Sequence, residues 1–247
     1  NTISAQRADY LTQWVIDRRD NNGHQIELHL HMFNDMVFAA GVTPHGDNAW
    51  GWTTHDGYDV LVSGYSYDEM DTILDWSRVQ FDAHGLGIPT MFRAGGWFAD
   101  EGTLKVLQDN GFLADSSGRT AFSIGTNNAV SPWNLSATTQ PYRPNIYDQN
   151  SSAYPLMNIW ELPNNGGDSW AFSKDDMYNR YRANYAGGTA DKMTVVTYLS
   201  HPDWFYEDKP KMDALLTDIE RDLYSDDNGP VILATLEDVY LMWTSNL

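Results

Sequence analysis

The feature that most constrains this chain is the alternation of segments with strand-like and helix-like apolar patterns. Side chains on one face of a strand recur every two residues, whereas those on one face of a helix recur every three or four. Short apolar runs such as MTVVTYLS are separated by helical patterns such as SYDEMDTILDWSRVQFDAHG. Strands that alternate with helices are typical of parallel βαβ units. The pattern therefore predicts an α/β fold with mostly parallel strands.

Local signals predict where these elements begin and end. Ser66 and Glu69 have the spacing of a capping box, so a helix of about five turns should begin there. Gly23 should end the first helix. Strands are predicted at residues 25–30 and in the segments IPTMFRAGG, GFLADSS, LMNIWELP, MTVVTYLS and PVILAT. Residues 32–64 and 118–154 are predicted to form long loops, which in compact domains are commonly functional or disordered.

The composition limits the classes of function. The chain has 247 residues, of which 42% are hydrophobic, and no internal repeat or linker, so we predict a single domain over residues 1–247. A net charge of −19 argues against nucleic acid as a partner, because phosphate binding needs clustered Lys and Arg. No apolar run is long enough for a membrane span. The absence of cysteine excludes disulfides and thiolate metal sites.

Unusual polar residues occur where the predicted strands end. In HQIELHLH, Glu27, His29 and His31 alternate with apolar residues, so a strand would carry them on one face. The other polar residues at predicted strand ends are Arg93, Asp115, Glu161 and His201. In parallel barrels, active sites gather at the carboxyl ends of the strands. The pattern therefore predicts one polar site at this edge of the sheet.

The order of these motifs resembles that of the polysaccharide deacetylases, the NodB-homology family or carbohydrate esterase family 4. GHQIELHLH resembles the strand that ends at a metal histidine, and FRAGGW resembles the arginine motif. LADSS resembles the next aspartate motif, TYLSH the Leu-x-His motif, and VILATLEDVY the closing strand and helix. The resemblance spans roughly residues 8–243 and implies a distorted (β/α)7-type barrel. Each motif is short, and their order makes the resemblance specific.

The resemblance implies a metal-dependent removal of acetyl groups from an N- or O-acetylated carbohydrate. His29 would then be a metal ligand, and His201 the general acid that protonates the leaving amine. Arg93 would orient the catalytic-base aspartate, and Asp115 would support His201. The implied cofactor is one divalent ion, with zinc preferred and cobalt or nickel as alternatives. We expect an extracellular or periplasmic protein; the oligomeric state stays open.

Two positions depart from the family pattern. The family's second metal histidine lies four residues after the first, where this chain has Phe33. His31 is the natural substitute, because both rings would project from one face of a strand; its alternative is a solvated loop histidine. The family's opening strand with two aspartates, one of them the base, has no counterpart before residue 8. Either the chain is part of a longer protein, or the barrel is incomplete at its N-terminus, or other acids replace them.

Several residues keep a second interpretation. The residues predicted to bind substrate are Trp97, Trp160 and Glu161. The alternative is that these side chains only pack in the core or form a wall of the pocket. Glu161 with Asp115 or Asp203 would instead supply the paired carboxylates of a glycoside hydrolase. A non-catalytic carbohydrate-binding relative is the third hypothesis, since the opening aspartates are missing. A His-x-His strand end also occurs in amidohydrolase barrels, which fit the remaining motif order less well.

Overall fold

The computed structural model describes residues 3–52, 55–185, 193–225 and 231–245. Its helices are α1 (Ala5–Asn22), α2 (Asn34–Ala39), α3 (Tyr67–Ala83), α4 (Glu101–Asp109), α5 (Lys174–Asn184), α6 (Phe205–Ser225) and α7 (Leu236–Thr244). Its strands are β1 (Leu28–Leu30), β2 (Met91–Ala94), β3 (Ala114–Asp115), β4 (Ser123–Ile124), β5 (Ala129–Val130), β6 (Trp160–Glu161), β7 (Gly167–Asp168) and β8 (Tyr198–Leu199). Short 3-10 turns lie at Val62–Gly64, Gly95–Trp97 and Pro202–Trp204.

The centre of the fold is a parallel sheet of four strands in the order β1-β2-β3-β6. Strands β7 and β8 form a separate parallel pair, and β4 and β5 form an antiparallel pair. The α/β fold with mostly parallel strands that the alternation predicts is therefore confirmed. Among the described strands, no ladder joins β6 to β7 or β8 to β1.

The register of the central sheet decides which side chains share a face. One row across the sheet contains Leu28, Phe92, Asp115 and Glu161, which are direct register partners. The next row, towards the carboxyl edge, begins with His29 beside Arg93. Because successive side chains of a strand point to opposite faces, the first row and the second row project in opposite directions.

The main core lies on the face of the first row. Leu28 and Phe92 pack there with buried residues of α3 and α4, including Ile73, Leu74 and Leu104. Helix α3 presents these residues because its capping box, Ser66 with Glu69, starts it in the predicted place. A smaller cluster contains Met91, Ala114, Leu162 and Val239 and is covered by α7. The two clusters fix the sheet between helices on both sides.

Helix α1 forms as predicted but does not bury its apolar side chains. It begins at the Ser4 cap and ends where Gly23 adopts a left-handed conformation, with φ of 69°. None of its residues is buried, and Tyr10 and Trp14 remain exposed. Local capping signals therefore determined the helix, while its contacts with the sheet are few. Among the described residues, no helix is both long and apolar enough to cross a bilayer.

Four element predictions are corrected by the structure. Residues 32–64 are not wholly irregular, since they contain α2, and residues 118–154 contain the paired strands β4 and β5. The predicted strand in MTVVTYLS is paired only at Tyr198–Leu199. The described part of PVILAT forms no strand, and its Leu233 is 92% exposed. Both of these segments have β-branched apolar residues, but a strand also needs a neighbour to pair with, and local propensity does not supply one.

Candidate functional site

His29 lies on β1 with its ring held by the neighbouring strand. Its Nδ1 lies 2.9 Å from the carbonyl oxygen of Arg93. A carbonyl accepts and does not donate, so Nδ1 carries the proton and the lone pair is left on Nε2. The residue is solvent-accessible, yet desolvation by the surrounding protein lowers the pKa of its imidazole. This desolvation favours the neutral form of His29.

His31 follows β1 and lies next to His29. The two ring centroids are 5.1 Å apart with the rings nearly perpendicular. His31 stacks on Tyr58 at 4.2 Å and meets the edge of Trp50 at 5.9 Å. Burial, reinforced by His29, lowers the pKa of His31 to about 4, although a hydrogen bond to the backbone of Tyr58 acts in the opposite direction. His31 is therefore a packed, neutral imidazole and not the solvated loop histidine of the alternative.

The glycines after β2 allow the loop to approach His31 closely. A Cβ at Gly95 would lie 2.7 Å from Nδ1 of His31 and 2.6 Å from the carbonyl oxygen of Leu30. Gly96 has φ of 61°, and a Cβ there would lie 2.3 Å from the ring of Trp50. The glycines of FRAGGW thus allow the loop to pack closely against His31 and Trp50, and they turn the chain just before Trp97.

His201 lies just after β8 and reaches the same region. Its ring centroid is 6.2 Å from that of Trp97, with the planes nearly perpendicular. The electrostatic influence of His201 contributes to the lowered pKa of both His29 and His31. Three imidazoles, from the carboxyl ends of β1 and β8, therefore lie close enough to influence one another electrostatically.

Within the described residues, the side chain of Arg93 donates hydrogen bonds to Ser116. Its Nε donates to the carbonyl oxygen of Ser116 at 2.8 Å, and its Nη2 donates to the Ser116 hydroxyl at 2.7 Å. Burial lowers the pKa of the guanidinium, while the nearby Asp115 and Glu161 oppose that change. Within the described residues, Arg93 thus fixes the turn after β3, and its charge balances the buried acids.

Asp115 and Glu161 form a buried pair of carboxyl groups. They are direct register partners on β3 and β6, and their exposed fractions are 1% and 0%. Asp115 accepts hydrogen bonds from the backbone N–H and hydroxyl of Ser117 at 3.0 and 2.8 Å, and Glu161 accepts one from the backbone N–H of Gly118 at 2.8 Å. Burial and the Asp115 charge raise the pKa of Glu161 well above its ordinary value. The protonated form of Glu161 is therefore favoured, and it can donate a hydrogen bond to Asp115.

This geometry separates the acids from the histidines. Asp115 and Glu161 point to the core face, whereas His29 points to the opposite face. Within the described residues, the hydrogen bonds of Asp115 go to Ser117 and Glu161. A glycosidase needs its carboxyl groups open to substrate and far enough apart for the sugar. The buried pair does not meet that requirement.

The two predicted tryptophans have different positions. Trp97 lies beside His201 and is 5% exposed, so it forms part of the wall of the cluster. Trp160 lies on β6, one residue before Glu161, and packs against the apolar cluster that contains Met91, Ala114 and Val239. The structure therefore brings Trp97 to the histidines and leaves Trp160 in the apolar cluster under α7.

Sequence reasoning missed Arg119, which supports Trp97. Its guanidinium carbon lies 4.1 Å from the centroid of the Trp97 ring, and its Nη2 lies 3.0 Å from Oδ2 of Asp168. Both charged residues are buried, with exposed fractions of 3% and 0%. No spacing rule joins these three positions, which lie in separate segments of the chain, so only the tertiary structure reveals the contact.

The described residues fit a metal ion only in part. His31 has a buried Nδ1 with no hydrogen-bond partner, and His29 has a free lone pair on Nε2. Neutral imidazoles with one ring nitrogen tied to a carbonyl are the form in which histidine binds zinc. Within the part of the chain that the structure describes, however, no group of three or more His, Asp or Glu side chains could hold an ion. Among the described residues, His29 and His31 are two candidate ligands without a third beside them.

Comparisons with known proteins give one finding at the level of structure. No protein-family model matches the chain, and no curated protein matches its sequence. A solved structure described as a "putative polysaccharide deacetylase from Mycobacterium smegmatis" superimposes with a TM-score of 0.45 and 15% sequence identity. The match covers 75% of this chain and 59% of that protein, so it spans less than two thirds of the neighbour's length. The evidence for a function therefore comes from the residues of this chain.

Proposed function

We propose that this protein is a hydrolase that removes acetyl groups from an N- or O-acetylated carbohydrate. The observation that carries the proposal is the cluster of His29, His31 and His201 at the carboxyl ends of β1 and β8, with two of the imidazoles kept neutral. The motif order along the sequence supports it independently, since HQIELHLH, FRAGGW and TYLSH supply these side chains. Strand ends of this kind are where α/β enzymes place their chemistry.

Each member of the cluster has a distinct role in this proposal. An imidazole can take up and deliver protons near neutral pH, so His201 would give a proton to the leaving amine or alcohol. His29 would act through the free lone pair of Nε2, because its Nδ1 is tied to the carbonyl of Arg93. Trp97 would exclude water beside His201 and offer an aromatic edge to the sugar.

A divalent metal ion is the cofactor that this proposal includes. His29 and His31 would hold it, and imidazole donors favour zinc, with cobalt or nickel as alternatives. When bound, such an ion lowers the pKa of a coordinated water and polarises the acetyl carbonyl. The chain's own contribution is to keep both imidazoles neutral and to orient His29 through its second nitrogen.

The proposal also includes the finer features of the family that the sequence resembles. The strands would belong to a distorted (β/α)7-type barrel, and residues 1–247 would form one catalytic domain. An extracellular or periplasmic location would give the enzyme access to polymeric carbohydrate.

The proposal is tested by measuring acetate release from N-acetylated and O-acetylated oligosaccharides. We expect the protein to release acetate in the presence of Zn²⁺, Co²⁺ or Ni²⁺, and a chelator to reduce the rate. His29→Ala should lower the rate by about 100-fold or more, as expected for a group that acts on the reacting atoms. His84→Ala, which changes an exposed histidine at the end of α3, is the matched control and should keep the rate.

Two outcomes would contradict the proposal. One is the release of no acetate from any acetylated sugar with any of the three ions added. The other is cleavage of glycosidic bonds that survives chelation and is lost in Glu161→Gln, which would select the glycoside hydrolase hypothesis instead.

A further inference from the structure

One carboxylate oxygen holds the segment that carries His201. Asp208 lies in the first turn of α6 and is 2% exposed. Its Oδ2 accepts hydrogen bonds from the Ser200 hydroxyl at 3.2 Å and from the backbone N–H of His201 at 3.4 Å. The same oxygen accepts a hydrogen bond from the Ser169 hydroxyl. Three donors from two loops therefore converge on a single buried atom.

This contact joins three elements at one point. Ser169 follows β7, and its backbone N–H donates to the carbonyl oxygen of Leu199 on β8 at 2.9 Å. One turn further along α6, Nζ of Lys211 donates to the carbonyl oxygens of Ser169 and Phe172. Helix α6 thus contacts the segment after β7 through Lys211, and it contacts the segments after β7 and β8 through Asp208.

We infer that Asp208 is the positioning residue for His201. The inference rests on the proposed function, in which His201 delivers a proton to the leaving group. Asp208 contacts the backbone of His201 and not its ring, so it would set the place from which the imidazole projects. Asp115, which the family resemblance assigns to the support of His201, instead bonds Ser117 and faces the core.

Loss of the carboxylate would release this segment. Without Oδ2, the hydroxyls of Ser169 and Ser200 and the backbone N–H of His201 would lose a common acceptor in a buried place. Buried donors without a partner are unfavourable, so the segment would shift to find water or another acceptor. A displacement of the imidazole by about 1 Å is enough to reduce a proton-transfer rate severely.

The inference is tested with Asp208→Ala and Asp208→Asn. Asparagine can still place one acceptor oxygen at the position of Oδ2, whereas alanine cannot. We expect kcat for acetate release to fall by about 10–100-fold in Asp208→Ala, to fall less in Asp208→Asn, and KM to stay unchanged. The amide and ring NMR signals of His201 should shift in the same order.

A matched control separates positioning from stability. Asp100 caps α4 by accepting from the backbone N–H and hydroxyl of Thr103, at 2.8 and 2.9 Å, and its contacts do not include His201. Asp100→Asn should lower the melting temperature while leaving kcat and the His201 signals as in the wild type. If Asp208→Ala does not fold, Ser200→Ala removes one of the three donors and should give a smaller change in the same direction.

The outcomes distinguish this inference from the proposed function. Unchanged His201 signals and a wild-type kcat in folded Asp208→Ala, or in Ser200→Ala where Asp208→Ala does not fold, would overturn it. If the wild type releases no acetate but the His201 signals still shift in Asp208→Ala, the proposed function fails and the placement of His201 by Asp208 stands.

Discussion

At the scale of single residues, the protein keeps its titratable groups in unusual states by burial. His29 and His31 lose affinity for protons because the surrounding protein replaces water. Glu161 gains affinity for the same reason, with Asp115 adding repulsion. The two effects have opposite signs because burial disfavours whichever form is charged. Burial consequently favours the neutral forms of His29, His31 and Glu161.

Glu161→Gln should change how stability depends on pH. The pKa of Glu161 is raised in the folded state, so the folded protein holds a proton that the unfolded chain has released. Between the ordinary pKa of glutamate and the raised value, this group makes the free energy of unfolding fall as pH rises, by up to about 1.4 kcal/mol per pH unit. Glutamine is neutral throughout and can still donate to Asp115. We expect the variant to be at least as stable as the wild type at pH 7, with the difference shrinking towards pH 5 in urea unfolding.

The exposed Glu207 supplies the control for this measurement. Glu207→Gln should follow the wild-type pH dependence. Parallel pH curves for the wild type and Glu161→Gln would show that Glu161 titrates like an ordinary glutamate and would contradict its raised pKa.

At the scale of elements, the same local signal has different consequences in different helices. Both α1 and α3 begin with a serine whose hydroxyl accepts a hydrogen bond from the helix backbone. Helix α3 buries Met70, Ile73 and Leu74 in the main core, whereas α1 buries none of its residues. Capping starts a helix, but the contribution of that helix to stability depends on what it covers.

Ser66→Ala should therefore destabilise the protein more than Ser4→Ala. Loss of the Ser66 cap should reduce the free energy of unfolding by about 1 kcal/mol, because α3 is part of the cooperative core. Loss of the Ser4 cap should fray α1 and leave the global transition nearly unchanged. Urea unfolding followed by tryptophan fluorescence measures both. Equal destabilisation by the two substitutions would mean that α1 belongs to the same cooperative unit.

At the scale of the whole molecule, the excess of acidic charge should destabilise the folded state by self-repulsion. The net charge of −19 comes from 34 acidic and 15 basic residues. Repulsion among exposed charges is screened by salt over about 10 Å at 0.1 M ionic strength. The ion pair of Arg119 and Asp168 is buried, so salt screens its attraction much less.

The free energy of unfolding should therefore increase between low salt and about 0.5 M NaCl. Screening weakens the repulsion among acidic side chains, and this repulsion is stronger in the compact folded state than in the unfolded chain. Thermal unfolding at a series of NaCl concentrations measures the effect, and sucrose at matched osmolality is the control for a general solute effect. A melting temperature that falls with NaCl would mean that attractive surface pairs outweigh the repulsion.

The sequence by itself determined the features that depend on neighbours within a few residues. Capping serines, the stop at Gly23 and the periods of the apolar residues predicted most helices and the strands β1, β2, β3 and β6. They also indicated that His29, Arg93 and His201 occur at strand ends. Only the tertiary structure decided which of these side chains meet. A shift of one residue in register moves a side chain to the other face of a sheet. The register that puts Asp115 beside Phe92 also pairs it with Glu161, while His29 in the next row projects to the opposite face. Register is set by packing between strands far apart in the chain, so no local pattern contains it.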